Sequence, residues 1–467
     1  MRNTEARLAK GCCLALALLV AGCGDDDATA ADDGTTPDVA DADAGPDADA
    51  DADAGDGSEA EAGADADAGA DGDTGPDGDA DGDGDAACPA AALGARLGRD
   101  RFLLGGSMGD DSFDASPFDV RYRYLAGAVP ADGPCASCAA GCTVNGSSCA
   151  NSAGCEWWGC WQWDALPPGR YVADHVRNTR EAGAIPMITY YVWLAVSGYD
   201  EGAGEIATLA NAARLRSYLL DFAFLCDVLS EAPEAPVIVH LEPDLWGYGH
   251  QRNDDPAAIP AAVSGAGIAE CSGLPDTFAG FGRCLVAIAR ARAPQALVAF
   301  HASAWGAGHD AMTTTDPAVD LDAHADETAA FLRAIGADAS DLVVVEQSDR
   351  DAAFDGDWWD ETNATRPNFH QAIGWVRRLS ASLGLAHLWW QVPYGHRALE
   401  NVCDRYQDNR VDYFFAHPDE YAAAGGLGIA FGAGASCQTT PETDGGHFLA
   451  HAAAWFAGPR PPLCGSP

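Results

Sequence analysis

Four carboxylates and one amide stand where short apolar runs give way to polar residues: Glu242, Asp244, Glu346, Asp349 and Gln391. Two carboxyl groups flanking a bond suffice for glycoside hydrolysis. One protonates the leaving oxygen, and the other acts as nucleophile or activates water. Glu242 lies in the run Val237–Asp244 and Glu346 in the run Leu342–Ser348. Glu242 is the expected general acid, its proton held by an apolar wall and by the charge of Glu346. Glu346 is then the nucleophile or base. Asp244 and Asp349 lie just beyond them and are able to replace either one. His240 and His301 are expected to donate hydrogen bonds to a ligand or to Glu242. No HExxH or His-x-His pair accompanies His240, His250, His301, His309 and His396, so neither a metal nor a cofactor is expected.

Large aromatics cluster beside these residues: Tyr190, Tyr191, Trp193, Trp246, Tyr248, Trp305, Trp358, Trp359, Trp390 and Tyr394. Sugar rings present C–H faces that stack on aromatic faces while their hydroxyls seek polar partners. The expected ligand-binding set is His240, Tyr191, Trp193, Trp246, His301, Trp305, Trp390, Gln391 and His396. The alternative for any single ring is that it fills space over a core.

Eight evenly spaced apolar runs must position these side chains: Phe102–Gly106, Val120–Ala126, Ile185–Trp193, Val237–Asp244, Leu297–Ser303, Leu342–Ser348, Leu388–Pro393 and Leu427–Gly432. Helical periodicity separates most of them, over Arg170–Ala182, Ile206–Leu229, Thr277–Ala293, Ala325–Ile335, Phe369–Leu383 and Phe448–Phe456. Strand alternating with helix implies a parallel sheet with right-handed crossovers. Runs apolar on both faces suit a closed barrel. The expected fold is α/β, a (β/α)8 TIM barrel over residues 87–467, with a disulfide-rich insertion at about 131–164 after the second strand. In such a barrel the site lies at the C-terminal ends of the strands. Side-chain alternation then turns Ile238, His240 and Glu242 inward together, and likewise Val344 with Glu346, His301 with Ser303, and Trp389 with Gln391. That much inward polarity calls for a hydrogen-bonded network or a site.

The segment HLEPDLWGYGHQ around Glu242 resembles the Glu-Pro-Asp strand end of family-6 cellulases. There the aspartate of the motif helps stabilise charge, which the resemblance implies for Asp244. The Tyr-Asp-Leu-Pro-Asp-Arg-Asp segment of that family is absent. SDRDAAF at Ser348–Phe354 echoes its end but follows the Glu-Pro-Asp run instead of preceding it. The similarity therefore extends to barrel glycoside hydrolases in general. A fourth-strand carboxylic acid is also similar to the large clan of retaining barrel glycosidases, whose nucleophile ends the seventh strand. Here that place holds Gln391, in WWQVPYGH.

The remaining sequence speaks of compartment. Arg2, Arg7 and Lys10 precede the apolar stretch Leu14–Ala21, and Leu19-Val20-Ala21-Gly22-Cys23 resembles the lipobox of bacterial lipoproteins, which implies removal of residues 1–23 and a lipid on Cys23. An ordinary signal peptide is the alternative. Residues 24–86 hold 24 acidic residues and no Lys, Arg or His. Such a stretch buries too little apolar surface to order itself and is expected to be a tether spanning about 45 Å or more; it lacks the regular spacing of a calcium-binding repeat. With a net charge of −45 for the whole chain, the remainder stays near −23 after the tether and leader are set aside. That excludes a nucleic-acid ligand, which needs clustered cations, and is compatible with a neutral polysaccharide.

The chain has 16 cysteines. Disulfides are expected among Cys135, Cys138, Cys142, Cys149, Cys155 and Cys160, with a zinc knuckle as the alternative for the first two. Cys271 with Cys284, Cys403 with Cys437 and Cys88 with Cys464 are further expected pairs, and Cys226 a free buried thiol. The sum is a monomeric glycoside hydrolase, lipid-anchored in the cell envelope outside the cytoplasm, cleaving a neutral polysaccharide. A carbohydrate-binding lipoprotein without turnover and a metal-dependent hydrolase are the alternatives.

Overall fold

The computed structural model describes residues 88–127, 129, 143–144, 147–148, 161–162, 167–232, 236–348 and 350–464. Eight parallel strands close into one barrel: β1 (Leu103–Gly106), β2 (Val120–Leu125), β3 (Ile185–Tyr190), β4 (Ile238–Leu241), β5 (Leu297–His301), β6 (Leu342–Glu346), β7 (Ala386–Val392) and β8 (Gly426–Phe431). Each strand pairs with its neighbours in sequence, and β1 pairs with β8 through Leu103 opposite Gly428. Every apolar run of the sequence is a barrel strand. Gly105 is required in β1 because a Cβ there would lie 2.0 Å from the Val120 carbonyl oxygen.

Helices wrap the barrel where side-chain caps start them. Asn211 accepts from the amides of Ala213 and Arg214 and opens the helix Ala212–Ser230. Thr277, Asp320 and Asn368 do the same for Phe278–Arg292, Leu321–Ile335 and Phe369–Leu383. The Asn211 cap also splits the single helix expected over Ile206–Leu229 into Ala203–Thr208 and Ala212–Ser230.

Two apolar layers result. Between strands and helices, Trp193, Tyr218, Phe222, Trp246, Phe281 and Phe300 interlock. Inside the barrel, Leu103, Val120, Ile238, Leu297, Leu342 and Leu388 fill the lower lumen. The helix Pro89–Leu97 plugs the N-terminal end, with Ala90, Leu93 and Leu97 joining the lumen cluster together with Leu463. The sequence reading did not anticipate this plug. A disulfide between Cys88 and Cys464 fastens it. Cys271–Cys284 and Cys403–Cys437 are also paired, and Cys226 is free and buried, all as expected. The insertion cysteines lie outside the described residues, as do Cys23 and residues 24–86. From the insertion, Trp161 is fully buried against Phe224, and the Gln162 amide donates to Asp221 Oδ1 at 2.7 Å. Among the described residues no helix is long and apolar enough to cross a membrane.

Candidate active site at the C-terminal mouth of the barrel

The upper lumen changes from apolar to polar within one turn of the strand pleat. Thr189, His240 and His301 follow Met187, Ile238 and Ala299 on the inward faces of β3, β4 and β5, as alternation demands. They form a chain. Thr189 Oγ1 lies 3.2 Å from His240 Nδ1, and His240 Nε2 lies 3.1 Å from His301 Nδ1. Burial keeps both imidazoles neutral: it holds His240 well below the ordinary histidine range and brings His301 down to about 3. With Thr189 donating to His240, each ring passes one hydrogen onward. His301 Nε2 is then a donor, and it faces Glu346 Oε1 at 3.9 Å. That nitrogen has no hydrogen-bond partner among the described residues, nor does the indole nitrogen of Trp390. Trp390 packs edge-on against His240 and His301, with ring centroids 4.7 and 5.7 Å away. The Glu346 side chain is 16% exposed, so this polar layer opens to solvent.

Beyond β3 and β4, the Tyr191 hydroxyl donates to Asp244 Oδ2 at 2.7 Å. Asp244 directly precedes the helix Leu245–Arg252. Gly247 in that helix leaves room for Trp305, whose ring atoms would lie 2.4 Å from a Cβ there, and Tyr248 packs on Trp305 with centroids 4.9 Å apart. Both rings are partly exposed. Below them, burial raises Glu205 to about 8, with the charges of Asp244 and Glu201 acting in the same direction.

Glu242 departs from the expected inward direction. Its φ of +40° breaks the alternation that Ile238 and His240 obey. The carboxylate turns toward the outer layer and accepts from the amides of Val192 (3.1 Å) and Trp193 (3.1 Å), with the Tyr218 hydroxyl alongside. It is wholly buried, and desolvation raises it to about 8 against the pull of those donors. Glu242 thus holds the loop after β3 to the end of β4. A second irregularity sits at the end of β7, where the pairing with β8 shifts register between Trp390 and Val392. Gln391, with φ of +54°, fills the bulge and accepts from the inward-facing Tyr124 hydroxyl. Trp390 therefore faces the lumen together with Gln391. Trp389 faces the outer layer against Tyr421, which corrects the expected pairing of Trp389 with Gln391.

The aromatics divide in the same way. Tyr191, Tyr248, Trp305 and Trp390 surround the mouth. Trp193 and Trp246, expected to bind ligand, are fully buried in the outer layer, where Trp193 packs on Tyr218 and Trp246 on Phe278 and Phe300. Tyr190, Trp359 and Tyr394 are core residues as well. Trp358 is 38% exposed, under the Arg397 guanidinium. His396 lies on the rim, its Nε2 2.9 Å from the Asp444 carbonyl oxygen. Ser303 is buried beside the Pro243 carbonyl. Asp349 lies outside the described residues.

One further carboxylate, absent from the sequence reading, organises the rim. Asp351, beyond β6, accepts from the amide of Gly395 beyond β7 (3.0 Å) and from that of Thr439 beyond β8 (2.9 Å). Neighbouring Asp408 accepts from the Ala352 amide (2.6 Å) and from Arg410 (2.7 Å), all of it buried. Burial, with the charge of Asp408, raises Asp351 to about 7. Nothing in the local sequence distinguishes Asp351 from the other aspartates of the SDRDAAFDGD stretch.

No family model matches the sequence, and no curated protein matches it. Among solved structures the chain is similar to a modular endo-β-1,4-mannanase from Cellulomonas fimi, of glycoside hydrolase family 26, at 12% identity and a TM-score of 0.44, over 80% of this chain and 74% of that one. It is also similar to endo-glycoceramidase II from Rhodococcus sp., at 8% identity and a TM-score of 0.38, over 75% and 78% of the two chains. An endoglucanase from Humicola insolens follows at 14% identity and a TM-score of 0.28, over 50% and 63%. These neighbours are glycoside hydrolases, but similarity at this level decides neither substrate nor mechanism, and the barrel is assigned from its own strand order.

Proposed function

We propose that this chain is a glycoside hydrolase acting on a neutral polysaccharide or oligosaccharide, with Glu346 and Asp244 as its reacting carboxyl pair. The observation that carries the reading is the meeting of Glu346 with a His301 nitrogen that has no hydrogen-bond partner among the described residues, in an otherwise buried polar layer that opens at the mouth. A neutral imidazole donor 3.9 Å from one carboxylate oxygen is placed to bond a group bound between them, which suits Glu346 as base or nucleophile. Asp244, held by Tyr191 beyond the end of β4, is the acid. The pair differs from the Glu242–Glu346 pair expected from alternation because the backbone turn at Glu242 aims its carboxyl away from the lumen. Glu242 becomes a positioning residue, and Asp349 remains a candidate to assist Glu346. Trp390, Trp305 and Tyr248 supply faces for sugar rings, and His240, Gln391 and His396 belong to the polar surroundings. The two left-handed residues at strand ends, Glu242 and Gln391, fit a site that holds backbone strain.

The same reading places the protein outside the cytoplasm, held to a membrane through a lipid on Cys23 and the acidic stretch 24–86, and working as a monomer. The three disulfides found among the described residues agree with an oxidising compartment.

The test is reducing-end release by the full chain from a panel of neutral glucans, mannans and xylans. Release that falls about 10³-fold in both Glu346→Gln and Asp244→Asn supports the assignment. Release unchanged in both variants overturns the roles. Binding of a glycan without release by the wild-type chain replaces the hydrolase with a carbohydrate-binding protein.

A further inference from the structure

Beyond β7 and β8, two histidines on one helix face a carboxylate on another. The helix Arg410–Ala416 follows β7 and carries Asp412 in its first turn. The helix His447–Ala457 follows β8 and carries His447 and His451, four residues apart and so on one face. Both Nε2 atoms aim at the same oxygen: His447 lies 2.7 Å and His451 3.7 Å from Asp412 Oδ1. All three ligating atoms fall within 4.8 Å of one another. The rings are held in place. His396 stacks on His447 at 4.1 Å with planes 17° apart, and Phe415 stacks on His451 at 4.9 Å and 18°. Side-chain exposures of 28% for His447, 37% for His451 and 41% for Asp412 leave the group open to solvent.

We infer that Asp412, His447 and His451 form a binding site for a divalent transition metal of the zinc class. Only one of the two histidines is within hydrogen-bond distance of the shared oxygen, so a simple ion pair leaves the second aimed but unused. A tetrahedral zinc ion, with bonds of about 2.0–2.1 Å to nitrogen and oxygen, sets its ligand atoms about 3.4 Å apart. The His451–Asp412 distance is already close to that, and the His447–Asp412 contact opens to it by a small rotation of two part-exposed side chains. Two imidazoles and one carboxylate suit zinc, cobalt or nickel and not calcium or magnesium, which take all-oxygen shells. Water completes the shell. The ion would pin the helices Arg410–Ala416 and His447–Ala457 to each other.

The test uses the full chain without a histidine tag, stripped of metal and titrated with zinc by calorimetry, and with cobalt(II) by visible absorption. The supporting result is one zinc equivalent, a cobalt spectrum of the intense four-coordinate type, and a higher Tm with zinc. In His451→Gln and His447→Ala the affinity should drop by at least about 100-fold, since even indirect partners of a metal contribute 10–100-fold. His250→Ala should leave it unchanged. The exposure of His451 makes His451→Gln the variant expected to fold normally, and circular dichroism verifies it. Zinc uptake that is the same in wild type and both variants would place the metal elsewhere in the chain and overturn the site. Absence of any zinc-dependent shift in Tm for the wild type would overturn it too.

Discussion

At the N-terminal end of the strands, Leu93 and Leu97 of the plug helix meet the leucines of the lower lumen. A ring of ion pairs closes around them, with Asp341 bridging Arg96 (2.8 Å) and Arg290 (2.7 Å), and Asp119 meeting Arg460 (2.6 Å). At the C-terminal end the same barrel holds neutral histidines, two left-handed residues and the His301 and Trp390 nitrogens, which have no hydrogen-bond partner among the described residues. The lower end is closed by apolar side chains and ion pairs. The other holds a polar layer that opens to solvent at Glu346. The difference is bought with buried apolar area below, and it teaches where to look for stability and where to look for chemistry.

The comparison breaks if substitutions at the two ends have the same effect. The largest change is expected from Glu346→Gln, with glycan turnover down about 10³-fold and a Tm within about 2 °C of wild type. Differential scanning calorimetry beside a reducing-end assay checks both halves, and a large fall in Tm would move Glu346 into the structural class. The converse is the double variant Cys88→Ala and Cys464→Ala. The bond spans 376 residues of sequence, and losing it should cost about 2–5 kcal/mol in urea unfolding, while turnover at 25 °C stays within about twofold.

Protonation sharpens the contrast more gently. The folded state holds Glu242 and Glu205 up to about 8, and Asp221 and Asp351 up to about 7, chiefly through burial. For an acid raised by folding, the native state binds the proton more tightly. The contribution is complete below the ordinary carboxylate range and disappears as pH climbs through the folded value. Wild-type Tm should therefore decline between about pH 5 and about pH 9, and Glu242→Gln should flatten the decline. An identical slope in that variant would mean Glu242 is charged throughout. The smallest effect is reserved for Trp305→Ala, with KM for a long glycan raised up to about tenfold and kcat little changed, in keeping with one lost stacking face. Equal losses in kcat and kcat/KM would give Trp305 a role in the transition state.

The strands were legible because each is a short apolar run buried on both faces, a pattern that survives in one dimension. Disulfide partners were legible from a few isolated cysteines flanking defined elements. The plug was not, since PAAALGARL continues the alanine-rich composition of the preceding stretch and only its docking against Leu103 and Leu427 reveals it. At the mouth, strict alternation predicted His240, His301 and Glu346 inward but failed at Glu242 and around Gln391. There the backbone leaves the extended region, and a two-residue period no longer applies. Trp193 and Trp246 were misjudged for a related reason: a tryptophan at a strand end has the same composition whether it lines a groove or fills the layer behind it. Asp412 went unread, and so did the four-residue spacing of His447 and His451, because the partners come from different helices.

The Asp351 carboxyl has a mechanical consequence. By gripping Gly395 and Thr439 at once, it couples three consecutive loops into a single stiff jaw, with Cys403–Cys437 as a second rivet. A bulky or branched chain entering the barrel meets a wall on that side that does not yield. Accommodation must come from the facing jaw, built on the turns beyond β3 and β4, so breadth of ligand choice should be tuned there, by residues such as Tyr191 and Tyr248.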